Sequence, residues 1–390
     1  MPAPDTGRLA ALDVARLLAI VGMMAAHTIL AVLGPSGRIV DGFPSTLFAV
    51  LAGASAVLST RRYDGRPLAA SVALGTRGLL VVVIGFLLGL VPSPAMVVLV
   101  YLGVAMILAA GLIHLPSRVL VAFAAVTAVA GPFVTTWVRD VRQLDTLGEL
   151  SWASPGDWVT SVLFTGAYPV LTWIVYLTIG ILLIRGVLAA RAAGTAALRR
   201  WTGRVALGSV LVVAIVAVVS VVYRTQVAAP ALAARVVVDV DLANSLLTSA
   251  SFGVSGGYSW TSVLVATPHS GNVADIVLTA AAAVLVIAVL VRWEASRPGG
   301  FRVLRPLAWA GAAPLTVYVL HVVALGVALL TVPAWTVGTT WGLWAGNVIG
   351  ALVVGALTVG RGRRGPLEAL VSGGAGRAAA WVTERRVTHR

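Results

Sequence analysis

The chain has 390 residues, 59% of them hydrophobic and 11% charged, with a formal net charge of +14 and a mean hydropathy of +0.97. That composition excludes a soluble domain folded around its own core and indicates a polytopic membrane protein. The absence of cysteine excludes disulfides, thiolate catalysis and cysteine-bound metals.

Apolar runs near the ~20 residues needed to cross a bilayer fall at 9–33, 42–60, 77–92, 94–114, 117–138, 167–187, 204–223, 272–291, 307–331 and 339–360. Prolines in VPSP at 91–94 split a longer stretch into a tight helical hairpin. The expectation is an all-α membrane protein of about ten transmembrane helices. One helical domain covers 1–365, and a basic cytoplasmic tail covers 366–390.

The arginines orient these spans. All 28 basic residues are arginine. With the N-terminus inside, the inner segments hold Arg61, Arg62, Arg66, Arg77 and Arg118, then Arg185, Arg191, Arg199, Arg200 and Arg204, then Arg292, Arg297, Arg302 and Arg305. The tail from Arg361 to Arg390 adds more, while only Arg38, Arg139, Arg142, Arg224 and Arg235 fall outside. The positive-inside rule therefore predicts both termini in the cytoplasm, and the charge reports orientation and lipid attraction rather than nucleic-acid binding. The arginine-only basic set reads as GC-rich coding bias, which points to a bacterial cytoplasmic (inner) membrane. A cleaved signal peptide is disfavoured, because Asp13 and Arg16 interrupt its start and no small-residue cleavage site follows.

Two outer segments are long, at about 139–168 and 224–272. The first carries Asp140, Asp145, Glu149, Trp152, Asp157 and Trp158, the tryptophans reading as interface anchors. The second carries SLLTSASFGVSGGYSW and TPHSGN. It is either a cap over an outward-facing cavity or a plain linker.

Ionisable groups at bilayer depth usually face a bundle interior and take part in function. Arg16 and His27 are eleven residues apart, nearly three helical turns and about 16 Å of rise, and so share a face. His27 is either a general base or a polar helix-packing residue. Asp13 and Arg16 form a local i,i+3 pair, or Arg16 is free to hold an anionic or carbonyl group inside the bundle. Asp41 either orients His27 or caps the second helix. His269 in the outer loop, and Tyr318 and His321 in a later span, are candidate acceptor-site residues. No metal site is expected, since no HExxH-type spacing occurs, and no Walker-type loop or GxSxG elbow is present.

At LDVARLLAIVGMMAAH and FPSTLFAVLAGASAVL the chain resembles the transmembrane acyltransferase superfamily. The Arg16-x(10)-His27 spacing is similar to that of the bacterial type-3 membrane acyltransferases, which O-acylate cell-surface sugars. TGAYPVLTWIVYLTIGILL, APLTVYVLH and RGPLEALV resemble the bacterial relatives of heparan-α-glucosaminide N-acetyltransferase and the YeiB-like membrane family. The resemblance implies a cytoplasmic acetyl-CoA donor and a glycan or glycolipid acceptor on the far side. It also implies His27 as catalytic base and Arg16 along the donor channel; Asp41 is grouped with His27, and Asp13 with Arg16, by their positions in the sequence. The lysosomal acetyltransferase instead uses a histidine in the loop after span 1, where this chain has Arg38 and no histidine. The alternative is a transporter or lipid-glycan flippase with Arg16 and His27 along its path, or a scaffold. Homo-oligomerisation is left open.

Overall fold

The structure, a computed structural model, describes residues 9–33, 40–142, 154–253 and 260–388. Every regular element among them is helical. This is the outcome lipid imposes, since a helix satisfies its own backbone groups where water is absent. The long elements are α1 (Ala10–Thr28), α2 (Phe43–Thr60), α3 (Pro67–Gly89), α4 (Leu99–Leu112), α5 (Ser117–Arg142), α6 (Val170–Ala192), α7 (Thr195–Tyr223) and α8 (Val273–Ser296). They continue as α9 (Arg305–Gly311), α10 (Pro314–Thr331), α11 (Val337–Leu357) and α12 (Pro366–Thr388).

Nine helices among the described residues are long and apolar enough to span a membrane, and α4 is a shorter apolar helix. The protein is thus an all-α multi-pass membrane protein, with an apolar helix in every expected run. Prolines set several starts by occupying first-turn positions where no N–H is needed: Pro44, Pro67 and Pro314. The third span accordingly begins ten residues before the expected 77, and Arg77 sits inside α3 rather than in its flank. The expected run at 307–331 is two helices. Pro314 cannot donate to the preceding turn and pushes Ala313 out of helical geometry, so α9 ends at Gly311.

The segment expected as a basic tail is largely the helix α12. Ala375 and Ala379 pack against Ala69 and Ala73 of α3. Its Glu368 accepts hydrogen bonds from the Leu315 and Thr316 N–H groups, at 2.6 and 3.0 Å, and from Thr316 Oγ1 at 2.6 Å. Glu368 therefore caps α10 from another helix, where a carboxylate also meets the positive end of the helix dipole. Glu294, at the end of α8, does the same for α1 by accepting from the Ala10 and Ala11 N–H groups at 3.1 and 3.0 Å.

Helix α1 lies at the centre, against α2, α8, α9, α10 and α11. Small residues permit this crowding: a Cβ on Gly311 would run into the backbone of Asp13. The outer segments are partly helical, at Pro155–Thr160, Ala229–Val236 and Val240–Thr248. Arg38, Asp145, Glu149, Trp152 and the stretch 254–259 lie outside the described residues.

The two interhelical caps make a stability prediction. Glu368→Ala should lower the thermal unfolding midpoint of detergent-solubilised protein, reflecting a loss of about 1–2 kcal/mol, with Glu368→Gln losing less. An unchanged midpoint in Glu368→Ala would show that the cap contributes nothing.

Candidate functional site

The end of α1, the 40–45 stretch that leads into α2, the 94–98 segment and single residues from the 165–169 segment, the 267–271 turn and α10 line a cavity of about 290 Å³. His27, Asp41, Tyr168, Phe252, His269 and Tyr318 are in its wall. Four of these are expected site residues. Tyr168 and Phe252 are additions, and Tyr168 lies within the TGAYP stretch quoted above.

The turn carrying His269 is tightly built. Asn272 Nδ2 donates to the carbonyls of Ser262 and Val265, at 2.9 and 3.0 Å, and the Gly271 N–H donates to Asp275 Oδ2 at 3.0 Å. His269 is held at φ +58°, a left-handed conformation that non-glycine residues rarely adopt and that is often found at functional sites. Its ring stacks on Phe252 with centroids 4.8 Å apart and meets the edge of Tyr168 at 5.8 Å. Phe252 and His269 of the 224–272 segment therefore wall the cavity, so this part of the segment is not a plain linker. Burial pushes the Tyr168 hydroxyl above the ordinary phenol range, so it stays a neutral donor.

Asp41 takes neither of its two expected partners. Its Oδ1 lies 3.3 Å from His269 Nε2, so it serves the loop histidine and not His27. The residue at the N-cap of α2 is Gly42, at φ +84°, where it turns the chain beneath His269. A side chain there would be both strained and close to the His269 N–H.

His27 Nδ1 lies 3.1 Å from His321 Nε2, with the two rings within 10° of parallel. His321 Nδ1 lies 3.1 Å from Asn347 Oδ1. Asn347 Nδ2 in turn donates to the Leu343 carbonyl at 2.8 Å. These contacts fix every proton in the row. The Leu343 carbonyl only accepts, so the Asn347 amide is oriented with Oδ1 toward His321. That oxygen also only accepts, so neutral His321 carries its proton on Nδ1 and presents a lone pair at Nε2. His27 must then donate through Nδ1, leaving Nε2 as an unprotonated base on a residue of the cavity wall. Asn347 was not among the expected residues. Its signal is a lone amide within the apolar run 339–360.

Arg16 and Asp13 are placed elsewhere. Arg16 bonds the Asp13 carboxylate, and its Nη2 donates to Ser55 Oγ of α2 at 2.9 Å. Of the two readings open for this pair, the structure has the local ion pair, which ties α1 to α2. The shared helical face of Arg16 and His27 does not make a shared site, because α1 has different neighbours at its two ends.

A scan against family models finds no match for this chain, and a search of curated proteins finds no similar one.

The proton assignment is directly measurable. Nitrogen NMR of histidine-labelled protein in lipid should show Nδ1-protonated tautomers for His27 and His321, with Asn347→Leu returning both to mixtures. A proton on His27 Nε2 in the wild type would contradict the relay.

Proposed function

We propose that the protein is an integral-membrane acyltransferase, moving an acetyl or other small acyl group from coenzyme A to a hydroxyl or amine of a glycan or glycolipid. The observation that carries this reading is the oriented row Asn347–His321–His27, which ends in an unprotonated nitrogen on a residue of the outer cavity. It has the logic of a base held in one tautomer by a second group behind it.

In the proposed step, His27 Nε2 takes the proton of the acceptor hydroxyl as its oxygen attacks the thioester carbonyl. The C–O bond forms, the C–S bond breaks, and the proton passes from His27 to the departing thiolate, giving the ester and free coenzyme A. The imidazolium formed in passing keeps its Nδ1–H on His321. The nearby Asp41–His269 pair and the Tyr168 hydroxyl supply polar groups for binding the acceptor.

Orientation belongs to the same proposal. The ends of the helices opposite the His27 cavity bear Arg61, Arg62, Arg66, Arg118, Arg191 and most other arginines. By the positive-inside rule that side is cytoplasmic, and it also attracts a polyanionic donor. The cavity then opens on the far side, where the acceptor is. Arg16 is held by Asp13 and Ser55, and the proposed donor path assigns it no role.

Purified protein should transfer acetyl from acetyl-CoA to a sugar acceptor. His27→Ala should lower that rate by a factor of about 10² to 10⁴, the usual worth of a positioned base. Asn347→Leu should cost roughly tenfold to a hundredfold by releasing the tautomer. Full activity in a folded His27→Ala variant would remove the proposed base.

A further inference from the structure

His27 lines the outer cavity, and its partner His321 lines a second and larger one, of about 620 Å³, between α10 and α11. Its lining is apolar, with residues such as Leu320, Ala324, Leu343 and Val354, except for His321 and Asn347 and, at one end, Thr339. Along α11 it runs from Thr339 to Val354, about 22 Å at 1.5 Å per residue. It therefore traverses most of a hydrocarbon core about 30 Å thick.

Gly342, Gly346 and Gly350 recur every fourth residue on the α11 wall of this groove. Such a row in a membrane helix normally lets another backbone approach closely. Here a Cβ added to any of the three would meet nothing within 4 Å, whereas one on Gly355 of the same helix would strike Ala310. The three glycines thus hollow out a channel and leave helix packing to Gly355.

At this depth only hydrocarbon is on hand to fill such a space. Two further features distinguish the groove from ordinary lipid-facing surface. Its wall includes His321 and Asn347, the same side chains that orient His27. Its end at Val332 and Thr339 is on the same side of the bundle as Asp41 and His269. A chain lying in the groove leaves its head group on the side of the outer cavity, which is small and presents Asp41, Tyr168 and His269 among apolar residues.

We propose that the groove between α10 and α11 holds the hydrocarbon chain of a lipid-linked sugar, whose head group occupies the outer cavity. The sugar's role as acyl acceptor rests on the acyl-transfer reading above; the lipid site itself does not.

The test is photolabelling in phospholipid vesicles with a long-chain alkyl glucoside bearing a diazirine midway along its chain, and mapping of the labelled residues. Labelling at Leu320, Ala324 and Leu343 should exceed that at exposed Leu211 and Val218 of α7 by about tenfold. Gly346→Phe and, separately, Gly350→Phe should remove the excess without changing the α7 signal, which also reports on folding. A phospholipid with the same diazirine should show no such excess. The proposal is overturned if the glucoside labels both faces equally, if the excess survives both variants, or if the phospholipid matches the glucoside. Cross-links joining α11 of two copies would overturn it too, by assigning the groove to self-association. Wild-type protein that labels as expected but transfers no acetyl would overturn the acyl-transfer reading and leave the glycolipid site standing.

Discussion

Three polar side chains at membrane depth, His321 buried and His27 and Asn347 half-buried, have to satisfy one another, because lipid supplies no donors or acceptors. His27, His321 and Asn347 do so in a single row, and the row is directional. The Leu343 carbonyl at one end accepts only, and that fixes each proton up to the lone pair on His27. A requirement of burial, that every polar group find a partner, thereby becomes a chemical property. The base at the cavity is unprotonated and aimed because of an amide two residues removed from it in the row.

The row survives only if α1, α10 and α11 keep their relative heights. Each residue of slip shifts a side chain by about 1.5 Å along a helix axis and turns it by about 100°, enough to break a 3.1 Å contact. Glu294 and Glu368 fix the starts of α1 and α10 from neighbouring helices. On α11, Trp344 Nε1 lies 3.4 Å from the Val21 carbonyl, and Gly355 lets its backbone close on α9. Helix α12 is thus coupled to a site it does not touch, by capping the helix that carries His321.

The helices were legible in the sequence because lipid leaves so few alternatives: a long apolar run becomes a helix. Their starts were less so, since hydropathy alone does not mark Pro67 as the beginning of α3 or Pro314 as a break. The site residues His27, Asp41, His269, Tyr318 and His321 were legible as costly polar groups among apolar ones. Their partners were not, because pairing is set by interhelical geometry that spacing along one helix does not encode. Asp41 meets His269, and Arg16 stays with Asp13 despite sharing a helical face with His27. The stretches APLTVYVLH and RGPLEALV supply His321 and the Glu368 cap, so two quoted motifs far apart in the chain serve one helix.

The central claim is that Asn347 acts only through His27. A double-mutant cycle on the acetyl-transfer rate measures this, using His27→Gln, Asn347→Leu and the combination. The relay predicts that Asn347→Leu slows the wild type but has no further effect once His27 is glutamine. Losses that multiply independently would show that Asn347 and His27 do not form one unit.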